Sequence, residues 1–119
     1  MKKLYFAFSI LALSGCATTP SDFSPDLQKQ AAVMQALSKD EKPSFEYSII
    51  KQVSSNSCDS KTAARFAGDT DEAVLLLKLE TAKIGGNAVV NYSCRTMPVD
   101  LVSNCWASKR CEGDAVLKK

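Results

Sequence analysis

Five cysteines in a chain of 119 residues without a histidine set the tightest limit on the fold. Four of them, Cys58, Cys94, Cys105 and Cys111, are widely spaced, and no two form a Cys-x-x-Cys pair. Catalytic thiols of the thioredoxin type and structural zinc sites both need closely spaced ligands, and zinc would also be helped by histidine. The spacing therefore favours two structural disulfides, formed in an oxidising compartment, over a redox or metal site.

The fifth cysteine, Cys16, follows Leu13-Ser14-Gly15 at the end of an apolar run that begins after two lysines. A positive head, an apolar stretch and small residues before the cut are typical of a secretory signal peptide. Because a cysteine follows the small residues, we predict a bacterial lipoprotein signal peptide over residues 1–15 and lipidation (palmitate) on Cys16. An apolar run of about a dozen residues is too short for a transmembrane helix. An unmodified Cys16 behind an ordinary cleavage site is the other alternative.

The residue after the cysteine is Ala17 and not an aspartate, which is typical of lipoproteins carried to the outer membrane. We therefore expect a lipid anchor in the outer membrane and a globular domain that faces the periplasm. Loss of residues 1–15 removes Lys2 and Lys3, which leaves 13 basic residues against 13 acidic ones. A neutral chain without a block of like charges argues against a nucleic-acid partner.

The mature sequence divides into a polar tether and one small domain. Residues 16–43 are predicted to be the lipidated tether. Within it, Ser24-Pro25 can begin a short helix that rests on the domain or on a partner. At helical spacing, one face of that helix carries the apolar residues Leu27, Ala31, Met34 and Leu37. Residues 44–119 are predicted to be the globular domain.

Four elements are predicted within this domain. A strand over residues 45–53 is followed by a helix over 70–84, which Asp69, Asp71 and Glu72 cap and Gly85-Gly86 end. A strand from residue 87 then leads into Cys94, and a last strand runs from Cys105 to about Leu117, with a bulge or turn at Gly113-Asp114. The inward side of the helix is predicted to carry Leu75, Leu76, Leu79 and Ala82. The fold class is thus α+β: a small β-α-β-β domain, one helix packed on a short sheet, crosslinked by two disulfides.

The spacing of the cysteines leaves two disulfide pairings open. If Cys105 and Cys111 share one extended strand, six residues of ~3.3 Å each hold them ~20 Å apart, which is too far for a bridge. Either Cys58 pairs with Cys105 and Cys94 with Cys111, or Cys58 pairs with Cys111 and Cys94 with Cys105.

Three segments resemble a known family. They are Val53-Ser54-Ser55-Asn56-Ser57-Cys58, the run Gly86-Asn87-Ala88-Val89-Val90-Asn91-Tyr92-Ser93-Cys94, and the final strand from Cys105 to Cys111. Together with the lipoprotein signal, they are similar to the RcsF family of outer-membrane stress-sensor lipoproteins. The resemblance implies the interleaved disulfides Cys58–Cys105 and Cys94–Cys111, made with the help of a periplasmic disulfide isomerase.

The same resemblance implies a role in the envelope stress response. Members of the family signal to the Rcs phosphorelay by contact with an inner-membrane regulator, IgaA. BamA and an outer-membrane β-barrel are further implied partners, with part of the tether exposed at the cell surface. The alternative is a small structural or ligand-binding envelope lipoprotein that has the same fold and no signalling role.

We expect that this chain is not an enzyme and binds no cofactor. The chain has no histidine, and no serine or cysteine has a recognisable base partner. Asp69, Asp71 and Glu72 are better explained as helix caps than as a carboxylate site. Lys109-Arg110 is better explained as a solvated strand face than as a contact patch for a partner.

Overall fold

The computed structural model describes residues 19–58, 68–98 and 108–119, which form an α+β fold. A 3-10 helix, Pro20–Asp22, precedes α1 (Pro25–Val33), β1 (Gln35–Ser38), β2 (Tyr47–Ser57), α2 (Thr70–Lys83), β3 (Ala88–Thr96) and β4 (Lys109–Lys118). The four strands form one mixed sheet in the order β1-β3-β4-β2, in which β1 is parallel to β3 and the other neighbours are antiparallel. The predicted α+β class is confirmed, but the fold has one strand and one helix more than the predicted β-α-β-β order.

Both additional elements come from residues assigned above to the tether. The Ser24 hydroxyl caps α1 by accepting a hydrogen bond from the Leu27 N–H (3.3 Å), and Pro25 occupies the first turn. Ala31 of α1 is fully buried against α2. The next residues form β1, which aligns Gln35 with Ala88 of β3. The folded part of the chain therefore extends N-terminally of the predicted boundary at residue 43.

The predicted central helix is present as α2, and its ends follow from local chemistry. The Asp69 carboxylate accepts a hydrogen bond from the Asp71 N–H (3.0 Å) and so caps the helix, and acidic residues in the first turn suit the positive end of the helix dipole. The helix ends at Lys83, two residues before Gly85, whose φ of 88° lies in the left-handed region that glycine adopts readily.

This helix is buried on two sides, because it lies between the sheet and α1. Ala73 and Leu77 pack in the cluster that includes Val89 of β3 and Ala115 of β4. Leu76 and Leu79 pack against Ala31 of α1 instead. Of the four residues predicted to point inward, Leu76, Leu79 and Ala82 are buried and Leu75 is half-buried.

The predicted interruption at Gly113-Asp114 is wrong: β4 is continuous, and the bulge lies in the opposite strand. Val90 pairs with Asp114 and Ser93 with Glu112, so two residues of β3 face Gly113 alone. The first of them, Asn91, has a φ of 56°, a left-handed conformation that asparagine tolerates better than most residues. A Cβ atom on Gly113 would lie 2.9 Å from Cβ of Tyr92. The glycine therefore makes room for the bulge.

The sheet face turned away from the helices has an apolar half and a polar half. The apolar half is a buried cluster of Leu37, Ala88, Val90 and Val116, against which Phe45 and Tyr47 pack. Lys118 lies 5.3 Å from the centroid of the Phe45 ring, within reach of a cation–π interaction. The polar half, near the other end of β2 and β4, contains the candidate site.

Candidate interaction surface

The disulfide Cys94–Cys111 joins the two central strands. The cysteines lie directly opposite each other on β3 and β4, with Cα atoms 4.1 Å apart, and Cys111 is completely buried. The alternative pairing of Cys94 with Cys105 therefore does not occur. Cys58 is also disulfide-bonded. Its predicted partner Cys105 and the predicted lipidation residue Cys16 lie outside the described residues, so both of these assignments stay predictions.

Next to Cys58, a hydrogen-bond network joins the end of β2 to the beginning of α2. The Ser57 hydroxyl donates to Oε1 of Glu72 (3.1 Å) and accepts from the Asp69 N–H (3.0 Å). The Ser55 hydroxyl donates to the Ala73 carbonyl (2.6 Å). Both serines are buried, and the Glu72 carboxylate and the Asp69 N–H belong to the capped beginning of α2. The acidic residues predicted as caps thus stabilise the fold.

Arg95, Arg110 and Glu112 form a charged cluster on the polar half of the open sheet face. Nε of Arg110 donates to Oε1 of Glu112 at 3.0 Å, and Nη2 of Arg95 lies 3.6 Å from the same oxygen. The side chains are partly solvent-exposed, Arg95 to 64%, Arg110 to 41% and Glu112 to 36%. One carboxylate thus serves two guanidinium groups, whose remaining N–H groups make no further ion pair with the described residues.

A shallow depression adjoins this cluster. It has a volume of about 170 Å³ and is lined by Gln52, Val53, Ser54, Arg110 and Glu112. Free guanidinium N–H groups in a fixed fork are well suited to a carboxylate or another planar anion. Chemically, the surface can therefore hold an acidic group of a partner.

The two residues Lys109 and Arg110, singled out in the sequence, do not form one patch. Neighbouring residues of a strand point to opposite faces, and Lys109 donates a hydrogen bond to the Thr96 hydroxyl while Arg110 contacts Glu112. Sequence reasoning missed Arg95 and Glu112. Arg95 could have been predicted from the pairing of Cys94 with Cys111. If these cysteines lie opposite each other on antiparallel strands, the next residue of β3, Arg95, lies opposite Arg110.

Residues 19–58, 68–98 and 108–119 contain neither a metal-binding cluster nor a membrane-spanning helix. None of the His, Cys, Asp and Glu side chains there form a group of three or more that could hold a metal ion. In the same residues, every helix is too short or too polar to cross a membrane.

Comparison with known proteins gives a fold neighbour. The chain is similar to the crystal structure of a protein of unknown function from Pediococcus pentosaceus ATCC 25745, described as belonging to the DUF74 family, with a TM-score of 0.52 and 18% sequence identity. The similarity covers 72% of this chain and 98% of that one. No protein-family model matches the sequence, and no curated protein matches it. At this level of identity, the likeness concerns the fold alone.

Proposed function

We propose that this chain is an outer-membrane lipoprotein of the envelope stress response, which acts by protein contact and has no catalytic role. Its anchor is the acylated Cys16, its domain faces the periplasm, and its partner is an inner-membrane regulator of the IgaA type that controls the Rcs phosphorelay. BamA and an outer-membrane β-barrel are further partners in this proposal.

The disulfide between Cys94 and Cys111 is the observation that carries the proposal. Disulfides persist in oxidising compartments such as the periplasm, which is where a lipoprotein signal ending at Cys16 would deliver the chain. The pair is also one of the two disulfides that the resemblance to the RcsF family implies. The partly exposed cluster of Arg95, Arg110 and Glu112 supports a contact role, because the guanidinium N–H groups that do not contact Glu112 can bind carboxylates of another protein.

Disulfide mapping is the first test. Peptide mass spectrometry of the unreduced mature protein should show Cys58–Cys105 beside Cys94–Cys111. If Cys105 is a free thiol, or is joined to another cysteine, the resemblance to the RcsF family is superficial and the signalling proposal loses its basis.

The second test is a reporter of Rcs-dependent transcription in a bacterium that lacks its own sensor. Expression of this chain should restore the response to envelope damage, and the double variant Arg95→Glu/Arg110→Glu should lose it. The matched control is Lys51→Glu/Lys83→Glu, which reverses two exposed lysines outside the charged cluster and should keep the response. If the wild-type chain is present in the outer membrane and the reporter stays silent, signalling is excluded.

A second candidate function is ligand binding by an envelope lipoprotein without a signalling role. The depression beside Arg110 favours it, because its volume of about 170 Å³ is enough for a carboxylate-sized group. Titration with short acidic peptides, monitored by the NMR chemical shifts of the Gln52 and Ser54 amides, would distinguish ligand binding from signalling. Binding of small peptides together with a silent reporter supports this second function.

A further inference from the structure

The distance between the predicted anchor and the folded domain is very short. Cys16 is three residues from Thr19, the first residue of the 19–58 segment that the structure describes. A chain extends at most ~3.6 Å per residue, so the anchor and the domain can be no more than roughly 11 Å apart at this point. A tether that ended at residue 43 would have allowed several times that distance.

The residues that follow Thr19 are firmly part of the domain. The 3-10 helix Pro20–Asp22 contacts α2, and Phe23 and Leu27 pack with Leu76 and Leu79 of that helix. Farther along, Ala31 is fully buried, and Met34 joins the cluster between α2 and the sheet. The chain thus enters the domain through its helix layer, on the side opposite Arg95 and Arg110.

We propose that the domain lies on the surface of the bilayer that holds the Cys16 acyl chains, with α1 and α2 toward the lipid and the charged cluster of the open sheet face directed away. This inference rests on the lipidation of Cys16 in the proposed function. The partner surface is thus the lipid headgroup layer itself, and the short chain after Cys16 keeps the domain on it.

The surface that faces the lipid in this arrangement is polar. Exposed residues of the 3-10 helix and α1 include Asp22, Asp26, Gln28 and Lys29. Two carboxylates and one lysine leave these residues with a net charge of −1, and Val33 is the one large apolar side chain that α1 exposes. This largely polar surface suits a position beside headgroups and has too little apolar area for insertion into the acyl region. The domain rests against the leaflet and depends on the covalent anchor to stay there.

This placement restricts how a partner can be reached. While residues 20–38 are docked, the domain stays near its own membrane, and a partner has to approach the exposed sheet face there. Release of these residues would leave 22 residue steps from Cys16 to Ser38, which span at most ~80 Å when extended and about 25 Å on average as a flexible chain. Docking of α1 and β1 therefore sets the working distance of the domain.

Energy transfer on vesicles tests the orientation. The mature chain is coupled through Cys16 to a maleimide lipid in vesicles of phosphatidylethanolamine and phosphatidylglycerol that contain an acceptor lipid. A donor dye is attached through an azide-bearing amino acid in place of Gln28 on α1, or of Ser54 on the open sheet face. Transfer should be stronger from position 28, because packed layers lie roughly 10 Å apart. Equal transfer from both positions would overturn the proposal.

Two variants supply the controls. Insertion of twenty Gly and Ser residues between Thr18 and Thr19 should remove the difference between the labels, as should Ala31→Asp, which places a charge in the buried contact of α1 with α2. Ala32→Asp at the exposed neighbouring position should keep the difference. If Ala31→Asp does not fold, the insertion alone decides the question. A difference that survives the insertion would show that the short chain does not orient the domain.

The vesicle assay supplies the anchor chemically, so its outcome does not depend on acylation in cells. Failure of the proposed function would appear instead as absence of labelled palmitate on the protein in cells. The two failures are therefore distinguishable.

Discussion

Arg95 of β3 and Arg110 of β4 lie directly opposite each other, one residue pair beyond the Cys94–Cys111 disulfide. Like charges in this position on neighbouring strands destabilise a sheet. Glu112 offsets the repulsion, because its Oε1 accepts from Arg110 at 3.0 Å and lies 3.6 Å from Arg95. The disulfide holds the two strands in register beside the charged pair. The arrangement keeps two arginines close together on an exposed face, which suits recognition of an acidic partner.

Replacement of the shared carboxylate by an amide, Glu112→Gln, should lower the free energy of unfolding by about 0.5–1 kcal/mol, the size expected for partly exposed ion pairs. The loss should shrink at about 1 M salt, where charges farther apart than ~3 Å are screened. Urea unfolding at low and high salt measures both effects. Asp114→Asn, at the next position of β4 with the same orientation, is the control and should change stability less. An equal loss at both salt concentrations would contradict the electrostatic explanation.

Removal of the disulfide between Cys94 and Cys111 should lower the free energy of unfolding substantially. The two cysteines are 17 residues apart in the sequence, and closing a loop of this size removes about 3 kcal/mol of unfolded-state entropy in the simple model. In urea unfolding without a reductant, the double variant Cys94→Ala/Cys111→Ala should have a free energy of unfolding lower than that of the wild-type protein by about this amount. The wild-type protein with a reductant is the comparison, and should lose more, because Cys58 is disulfide-bonded as well. A loss below about 1 kcal/mol would show that packing around the strands replaces the crosslink.

Elements specified by neighbouring residues could be predicted from the sequence, and elements specified by distant ones could not. The helix α2 has a capping aspartate at Asp69 and a glycine stop at Gly85, both within a few residues of its ends. By contrast, β1 has only four residues and exists because it pairs in parallel with β3, some fifty residues later. The burial of Ala31 likewise depends on α2, which is distant in sequence.

The candidate site was missed for the same reason. Arg95 and Glu112 are ordinary charged residues of strands when read along the chain. Only the antiparallel register of β3 and β4 brings them to Arg110. A bulge such as the one at Asn91 shifts the register of the two strands by one residue. Gly113 alone indicates that a bulge is near, but it does not tell which of the two strands contains the extra residue.

A methyl group on the glycine opposite this bulge should be poorly tolerated. In Gly113→Ala, the new Cβ would lie 2.9 Å from Cβ of Tyr92 and 3.0 Å from Cγ1 of Val89. Overpacking of this kind costs about 1–3 kcal/mol, and thermal or urea unfolding would measure it. The control is Gly85→Asn, where nothing lies within 4 Å and the left-handed φ of 88° suits asparagine. Gly113→Ala should be the more destabilising of the two, and the reverse order would mean that the bulge relaxes around the methyl group.

Loss of the buried Ser57 hydroxyl should weaken the contact between the beginning of α2 and the end of β2. Ser57→Ala removes both a donor to Glu72 and an acceptor for the Asp69 N–H in a fully buried position. Leaving the Asp69 N–H without its acceptor costs about 1–3 kcal/mol, whereas Ser54→Ala on the exposed face should stay within about 0.5 kcal/mol. Hydrogen exchange gives a local readout beside urea unfolding: the Asp69 amide should exchange faster in Ser57→Ala and unchanged in Ser54→Ala. If Ser57→Ala keeps both the stability and the slow exchange, another acceptor satisfies the Asp69 amide, and the contact between Ser57 and Glu72 does not hold α2 to the sheet.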